Sequence, residues 1–358
     1  MPVSFSSLPE LLDCGFDTVI DVRSPAEYAE DHLPGAVNLP VLSNAERAEV
    51  GTVFVQESPF LARKIGAAKV FRNAAAHIEG PLRDKEGGWR PLVYCWRGGQ
   101  RSGSFGWMLS QIGWRAETIQ GGYQTYRGLV HRFLYEDALP HRMILLDGFT
   151  GTAKTELLEL LEGRGCQVLN LEAMAEHRGS LLGATGVPQP SQKGFETRIA
   201  AKLCRFDPTR PVLVEAESSK VGDRSLPPSL WAAMKAGSRI MITAPIAART
   251  AYLVKAYDDI LSNAPTMREK LEPLRKYRGN AIVDGWFAHL DAGDKLAVTR
   301  ALMEEHYDPS YAKSRSGVAA REIATLSAKD LGPDGLSDLA DRIEALVDVR
   351  PQPADSES

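Results

Sequence analysis

Residues 142–161 constrain the fold more tightly than any other stretch of this chain. An apolar run, Arg142-Met143-Ile144-Leu145-Leu146-Asp147, meets Gly148-Phe149-Thr150-Gly151-Thr152-Ala153-Lys154-Thr155, and a helical pattern follows, Glu156-Leu157-Leu158-Glu159-Leu160-Leu161. A buried strand that breaks into a Gly-rich turn and then a helix leaves the first helical N–H groups unpaired and pointing at one centre, a ready anion site. Gly148, Gly151, Thr152, Lys154 and Thr155 are therefore expected to bind phosphate. Lys154 would reach the terminal phosphates, and Thr155 would hold Mg2+ if a metal is used. Ala153 departs from the usual pattern, which has glycine there.

Two further strands follow. Pro211-Val212-Leu213-Val214 ends in Glu215-Ala216-Glu217-Ser218, and Arg239-Ile240-Met241-Ile242-Thr243 leads to Arg249. Acidic residues at the carboxyl end of a strand in an open α/β sheet lie beside the ligand crevice. Glu215, Glu217, Ser218 and Arg249 are thus site candidates, although a solvated strand end also accounts for the two glutamates. Alternating strands and helices from residue 142 onward predict a doubly wound P-loop NTPase-like fold. The stretches Glu176–Ser180 and Gln189–Glu196 carry no periodicity and read as ligand-touching loops, which adds Arg178 and Gln192. Arg275, Lys276, Tyr277 and Arg278 form a basic cluster with one aromatic on an expected helix, suited to an RNA backbone or equally to a solvated face.

The first third of the chain carries a different device. The short apolar run Pro91-Leu92-Val93-Tyr94 opens into Cys95-Trp96-Arg97-Gly98-Gly99-Gln100-Arg101. Gly98 and Gly99 let successive N–H groups converge, and Arg97 and Arg101 add positive charge. Such a loop stabilises a thiolate or a persulfide-like anion on Cys95. Upstream, Asp17–Val22 reads as a buried strand, Ser24-Pro25 as a helix start, and Pro34-Gly35 as a turn before another strand.

At 358 residues the chain exceeds what one core usually organises. The expected division is 1–135, 136–349 and a disordered, Pro- and Ser-containing tail at 350–358. A formal net charge of -4 gives no global nucleic-acid signature, so an RNA contact must come from a local patch. Four scattered cysteines without Cys-x-x-Cys spacing fit a reducing compartment rather than a disulfide framework or a zinc site. No apolar run approaches the roughly 18 residues that a membrane span needs, and no signal segment is evident, so a cytoplasmic protein without a membrane partner is expected.

The first 5–135 residues resemble the rhodanese domain, through Asp21-Val22-Arg23, His32-Leu33-Pro34-Gly35-Ala36 and the Cys95 loop. That family passes sulfur or selenium through a loop cysteine, and Cys95 occupies the matching position. Asp21, Arg23 and His32 read better as a structural set that ties strand to turn. Between Cys95 and Arg101 lie five residues, one more than in common single-domain sulfurtransferases, which is also the spacing of Cys-x5-Arg phosphatases. Over nearly its whole length the chain resembles the tRNA 2-selenouridine synthase family, through Cys95–Ser102, Gly121-Gly122-Tyr123, His177–Ser180, Gln189–Gln192, Glu215–Ser218 and His306–Tyr311.

That resemblance implies a transferase with two steps at the wobble 2-thiouridine of a tRNA anticodon: geranylation from geranyl diphosphate, then replacement of the S-geranyl group by selenium from selenophosphate. Both donors are co-substrates, no tightly bound cofactor is expected, and selenophosphate synthetase is a candidate partner. The competing readings are a sulfurtransferase fused to a P-loop kinase or NTPase, a phosphatase-like enzyme, and a catalytically idle tRNA-binding or redox-sensing module.

Overall fold

A computed structural model describes residues 2–180, 182–183, 186–315 and 321–347; the tail at 350–358 lies outside them. The chain forms two compact units. The first comprises 1–139, 190–205 and 227–229, and the second 140–189, 206–226 and 230–358. The grouping is not linear in sequence. Gln192–Leu203, placed by its position in the second half of the chain, is a helix of the first unit, where Tyr126 donates its hydroxyl hydrogen bond to Thr197 Oγ1 at 2.9 Å and Tyr135 to Glu196 Oε1 at 2.7 Å.

In the first unit, β1 (Pro2–Val3), β2 (Thr18–Asp21), β3 (Val37–Asn38), β4 (Pro91–Tyr94) and β5 (Glu117–Ile119) form a parallel sheet in the order β1-β5-β4-β2-β3. β4 is central and buried along its whole length, as an all-apolar strand of a parallel sheet must be. Its core includes Ile20, Val22, Val93, Phe105 and Leu109. The helix Pro25–Glu30 begins as its sequence predicts, with the Ser24 N–H donating to Glu27 Oε2 at 3.0 Å. A hairpin of helices Asn44–Gln56 and Pro59–Glu79 separates β3 from β4.

In the second unit, β6 (Met143–Asp147), β7 (Gln167–Leu169), β8 (Val212–Glu215), β11 (Ser238–Thr243) and β12 (Glu322–Ser327) form a parallel sheet in the order β12-β11-β6-β8-β7, and β9 (Lys220–Val221) pairs antiparallel with β10 (Arg224–Ser225). The crossover from β6 runs outward to β7, and later connections return past β6 toward β12. β6 therefore ends at the point where the winding reverses, which is where such sheets bind ligands. The alternation of strand and helix does not hold throughout. Between β11 and β12 the chain is helical from Ile246 to Arg315, with its own core around Met267, Val283, Trp286 and Leu302. No described helix is long and apolar enough to cross a membrane.

Candidate functional site

Cys95 emerges from the buried end of β4 and is itself almost wholly buried. Two approaches of backbone to backbone set the loop. Gly98 adopts a left-handed φ of +63°, and a Cβ there would come within 2.7 Å of the Ile119 carbonyl oxygen. A Cβ on Gly122, also left-handed, would lie 2.2 Å from the Cys95 carbonyl oxygen. Only glycine fits either place. The Cys95 carbonyl then accepts the Tyr123 N–H at 2.8 Å, and Trp96 stacks on Tyr123 with ring centroids 5.2 Å apart.

The helix Gln100–Ile112 starts directly after Gly99, so its unpaired N–H groups and positive dipole end belong to this loop. Ser102 donates its hydroxyl hydrogen bond to Cys95 Sγ at 3.2 Å. The arginines behave differently from one another. Arg97 is exposed, whereas Arg101 turns to Glu27, with Nη1 2.9 Å from Oε2. Burial pushes the Glu27 carboxyl up, but the Arg101 guanidinium and Ser24 outweigh it and hold the group below its ordinary range. Arg101 is thus committed to a carboxylate in this structure, because Glu27 at the helix start of Pro25–Glu30 is the nearer partner for its charge.

Asp21 and Arg23 are fully buried and paired at 2.6 Å, and Arg23 also donates to the Asp31 carbonyl at 2.6 Å and lies over the Tyr123 ring at 4.0 Å. This is the structural tie their sequence pattern suggested. His32 stacks on Tyr28 and bonds its carbonyl through Nδ1 at 2.9 Å.

In the second unit the loop after β6 wraps as a phosphate cradle does. A Cβ on Gly148 would meet the Ile242 carbonyl oxygen at 2.5 Å, and one on Gly151, at a φ of +84°, would meet Leu253 Cδ1 at 2.8 Å. Thr152 is buried and donates to the Phe149 carbonyl at 2.9 Å, so its side chain shapes the loop rather than facing a ligand. Ala153 is left-handed at φ 56°, one of two non-glycine residues with positive φ among those described. Lys154 Nζ folds back onto the Gly148 carbonyl oxygen at 2.9 Å.

Thr155 donates to Glu172 Oε2 at 2.8 Å. Around that pair stand Glu215 and Glu217. Glu215 is buried at the end of β8, its Oε2 accepts the Leu171 N–H at 2.9 Å, and its Oε1 has no protein partner. Burial first, and the Glu172 charge second, push the Glu215 carboxyl up to about 8. The same two causes raise Glu217, with Lys154 opposing them.

Three side chains brace this loop from the helical segment. Arg249, buried, donates to the Thr150 carbonyl at 3.2 Å and is clamped by both oxygens of Asp308 at 3.0 and 2.9 Å. The Gly148 N–H donates to the Tyr311 hydroxyl at 3.1 Å, and the Tyr311 ring packs on Phe149 at 4.9 Å.

Glu172 carries geometry that the sequence did not single out, whereas Asp308 and Tyr311 belong to the His306–Tyr311 motif, to which the sequence assigned no role. Glu172 had a usable signal, since it follows the carboxyl end of β7 as Glu217 follows that of β8. Other candidates stand apart from this cluster. Ser218 closes a local turn, its hydroxyl donating to the Lys220 carbonyl at 2.9 Å. Arg178 pairs with Asp259 at 3.2 Å and lies over the Tyr257 ring at 4.9 Å. Gln192 sits in the first turn of a helix capped by Ser191, not in a loop, and donates to Glu196 at 2.9 Å within the first unit.

In the basic cluster, Arg275 pairs with Glu272 and Asp284 at 3.0 and 2.7 Å, and Arg278 bonds His306 at 3.1 Å. Only Lys276 and Tyr277 of these four are exposed. The helix expected there is broken into Ala264–Leu271, a 3-10 turn Glu272–Leu274 and Arg275–Arg278.

A parallel sheet with a buried thiol loop and a second with a Gly-rich Lys-Thr loop make a rhodanese domain followed by a P-loop-like AAA domain, the architecture of a transferase. Family models agree: the Rhodanese-like domain matches residues 4–128 and the tRNA 2-selenouridine synthase AAA domain residues 141–284. Proteins described as tRNA 2-selenouridine synthase resemble the chain over much of its length. That of Bordetella bronchiseptica is 31% identical, with 86% of this chain and 90% of the relative covered. That of Chromohalobacter salexigens is 31% identical, with 82% and 86% covered, and that of Nitrosomonas europaea 33%, with 72% and 68% covered. The chain belongs to the tRNA 2-selenouridine synthase family.

Proposed function

We propose that this chain converts a wobble 2-thiouridine of tRNA to 2-selenouridine in two steps divided between its two sites. In the first, the thio sulfur attacks the allylic carbon of geranyl diphosphate. A C–S bond forms, the C–O bond breaks, and diphosphate leaves with the electron pair. A leaving diphosphate needs positive charge and N–H donors in place before it departs. Lys154 and the free N–H groups at the start of Lys154–Gly163 are suited to supply them.

Thr155 and Glu172 would suit a divalent cation as well, one hydroxyl and one carboxylate side by side. Such an ion would neutralise diphosphate charge. In the second step the selenium of selenophosphate, held in the Cys95 loop, attacks C2 of the S-geranylated base: a C–Se bond forms, the C–S bond breaks, geranylthiolate leaves with the electron pair, and water then cleaves the Se–P bond to release phosphate. The buried thiol, the Ser102 hydroxyl at 3.2 Å and the helix start at Gln100 favour an anionic selenium-bearing group there. The domains are assigned as 1–135 for selenium transfer and 136–349 for the phosphate chemistry, with 190–205 contributed to the first unit. Lys276 and Tyr277 are the exposed pair available to RNA.

The observation that carries this reading is the presence, in one chain of this family, of a glycine-cradled buried thiol and of a Gly-rich Lys-Thr loop beside the buried carboxyls of Glu215 and Glu217. The pairing of Arg101 with Glu27 weighs against a phosphatase-like role, in which that arginine must face the phosphate ester. The test is nucleoside analysis of tRNA from a strain lacking the chain and from the same strain with it restored. Restoration of both 2-selenouridine and geranylated 2-thiouridine is expected; restoration of neither would overturn the reading and favour a sulfurtransferase fused to a kinase or NTPase.

A further inference from the structure

The phosphate loop forms one rim of an apolar pocket. Thr150, in the loop itself, stands at the pocket edge, Ser180 and Leu182 contribute from the chain that follows β7, and the rest of the wall comes from the helical segment between β11 and β12, with Leu253, Tyr257, Leu302 and Tyr307 among it. The pocket measures about 370 Å³ only when its open mouth is counted and encloses about 30 Å³, so a ten-carbon chain enters by parting the side chains of the wall. None of its lining side chains is charged. The loop and the pocket wall are mechanically one piece: Leu253 Cδ1 is the atom that a Cβ on Gly151 would strike, and Arg249, one turn earlier on the same helix, holds the Thr150 carbonyl.

A larger cleft that borders the phosphate-loop helix is lined by Glu156, Lys255 and Asp330 among others, charges that would have to be stripped of water against a hydrocarbon. Thr150, Ser180, Thr299 and two tyrosines put hydroxyls in the wall, but it has no amide or carboxylate side chain to read the ring edge of a nucleoside base. We propose that this pocket binds the branched hydrocarbon chain of the prenyl diphosphate, holding its allylic carbon beside the phosphate loop, and so sets the length of prenyl group that is transferred. The proposal rests on the geranyl-transfer reading and adds to it the place of the chain and the origin of donor selectivity.

Calorimetric titration of the full-length protein with geranyl diphosphate and with inorganic pyrophosphate tests it. In the wild type the prenyl donor should bind at least about tenfold more tightly than pyrophosphate, because apolar carbons leave water. Leu302→Trp fills the pocket and should abolish that advantage while leaving pyrophosphate affinity unchanged. An undiminished advantage in the folded variant would overturn the proposal. Should Leu302→Trp fail to fold, a photoreactive geranyl diphosphate analogue on the wild type decides: cross-links in 253–261 and 299–307 support the pocket, and cross-links confined to other segments exclude it. Geranyl transfer to thiolated tRNA by the wild type, measured in parallel, separates the two ideas. A wild type that binds the donor through the pocket yet transfers no prenyl group would refute the transfer reading and leave the pocket standing.

Discussion

Ala153 holds a left-handed backbone that glycine adopts at lower cost. The strain of a β-carbon in that region is about 1–2 kcal/mol, while its buried methyl, packed in the core with Leu157 and Ile242, is worth about 0.8 kcal/mol. Ala153→Gly should therefore change stability by no more than about 1 kcal/mol, and thermal unfolding should move by only a few degrees. A large drop would mean that the methyl is an essential part of the loop. Lys154 is the opposite case, since it brings a charge to the loop and not a packed methyl. Charge-assisted contacts are worth roughly 1.5–3 kcal/mol each, so Lys154→Ala should weaken pyrophosphate binding by about one to two decades; equal affinities in a titration would place the phosphate elsewhere.

Glu215 gives the fold a pH dependence of definite sign. Its carboxyl is raised from an ordinary 4.5 to about 8, so the folded protein favours the neutral form. The corresponding stability is fully present below about 4.5 and is lost as pH climbs through about 8. Glu215→Gln keeps an oxygen to accept the Leu171 N–H and never ionises. Its melting temperature should therefore decline less than that of the wild type between pH 5 and 8. Parallel declines in both proteins would show that Glu215 is not the group responsible.

At the level of elements, the phosphate loop and its strand were legible because a long apolar run, Gly-rich spacing and a Lys-Thr pair coincide within a few residues. β8 and β11 were legible for the same reason, as continuous apolar runs. β7 has only three residues, too few for a pattern, and β12 reads Glu322-Ile323-Ala324-Thr325-Leu326-Ser327, an edge strand whose alternation is weak and whose partner β11 lies far back in sequence. The bracing of the phosphate loop was hidden likewise: Arg249 stood out, but its clamp Asp308 is reached only after the intervening helices fold. Asp308→Ala strands a largely buried guanidinium, an error that costs about 3–5 kcal/mol where desolvation is complete. The partial exposure of Asp308 and the retained Thr150 contact put the expected loss below that range. The second unit should melt several degrees lower and bind pyrophosphate more weakly; unchanged binding would mean that the loop holds its shape without the clamp.

At the scale of the whole molecule, two parallel sheets each end in a Gly-rich turn that runs into a helix, one bearing a thiol and the other a lysine. The two loops were readable in sequence because each gathers its residue types within one turn of chain. Partners that come from distant segments were not: Arg101 was assigned to the Cys95 anion, yet Glu27 holds it, and Gln192 looked like a loop residue of the second unit, yet it begins a helix of the first.

The division of labour is tested most directly by Cys95→Ser, which keeps the loop but removes the soft nucleophile. Purified variant, thiolated tRNA, geranyl diphosphate and selenophosphate are combined, and the nucleosides are quantified by mass spectrometry. Geranylated 2-thiouridine should accumulate at close to the wild-type rate while 2-selenouridine falls to background. Formation of 2-selenouridine at the wild-type rate, or loss of geranylation in a variant whose thermal unfolding matches the wild type, would contradict the assignment of the two steps to separate sites.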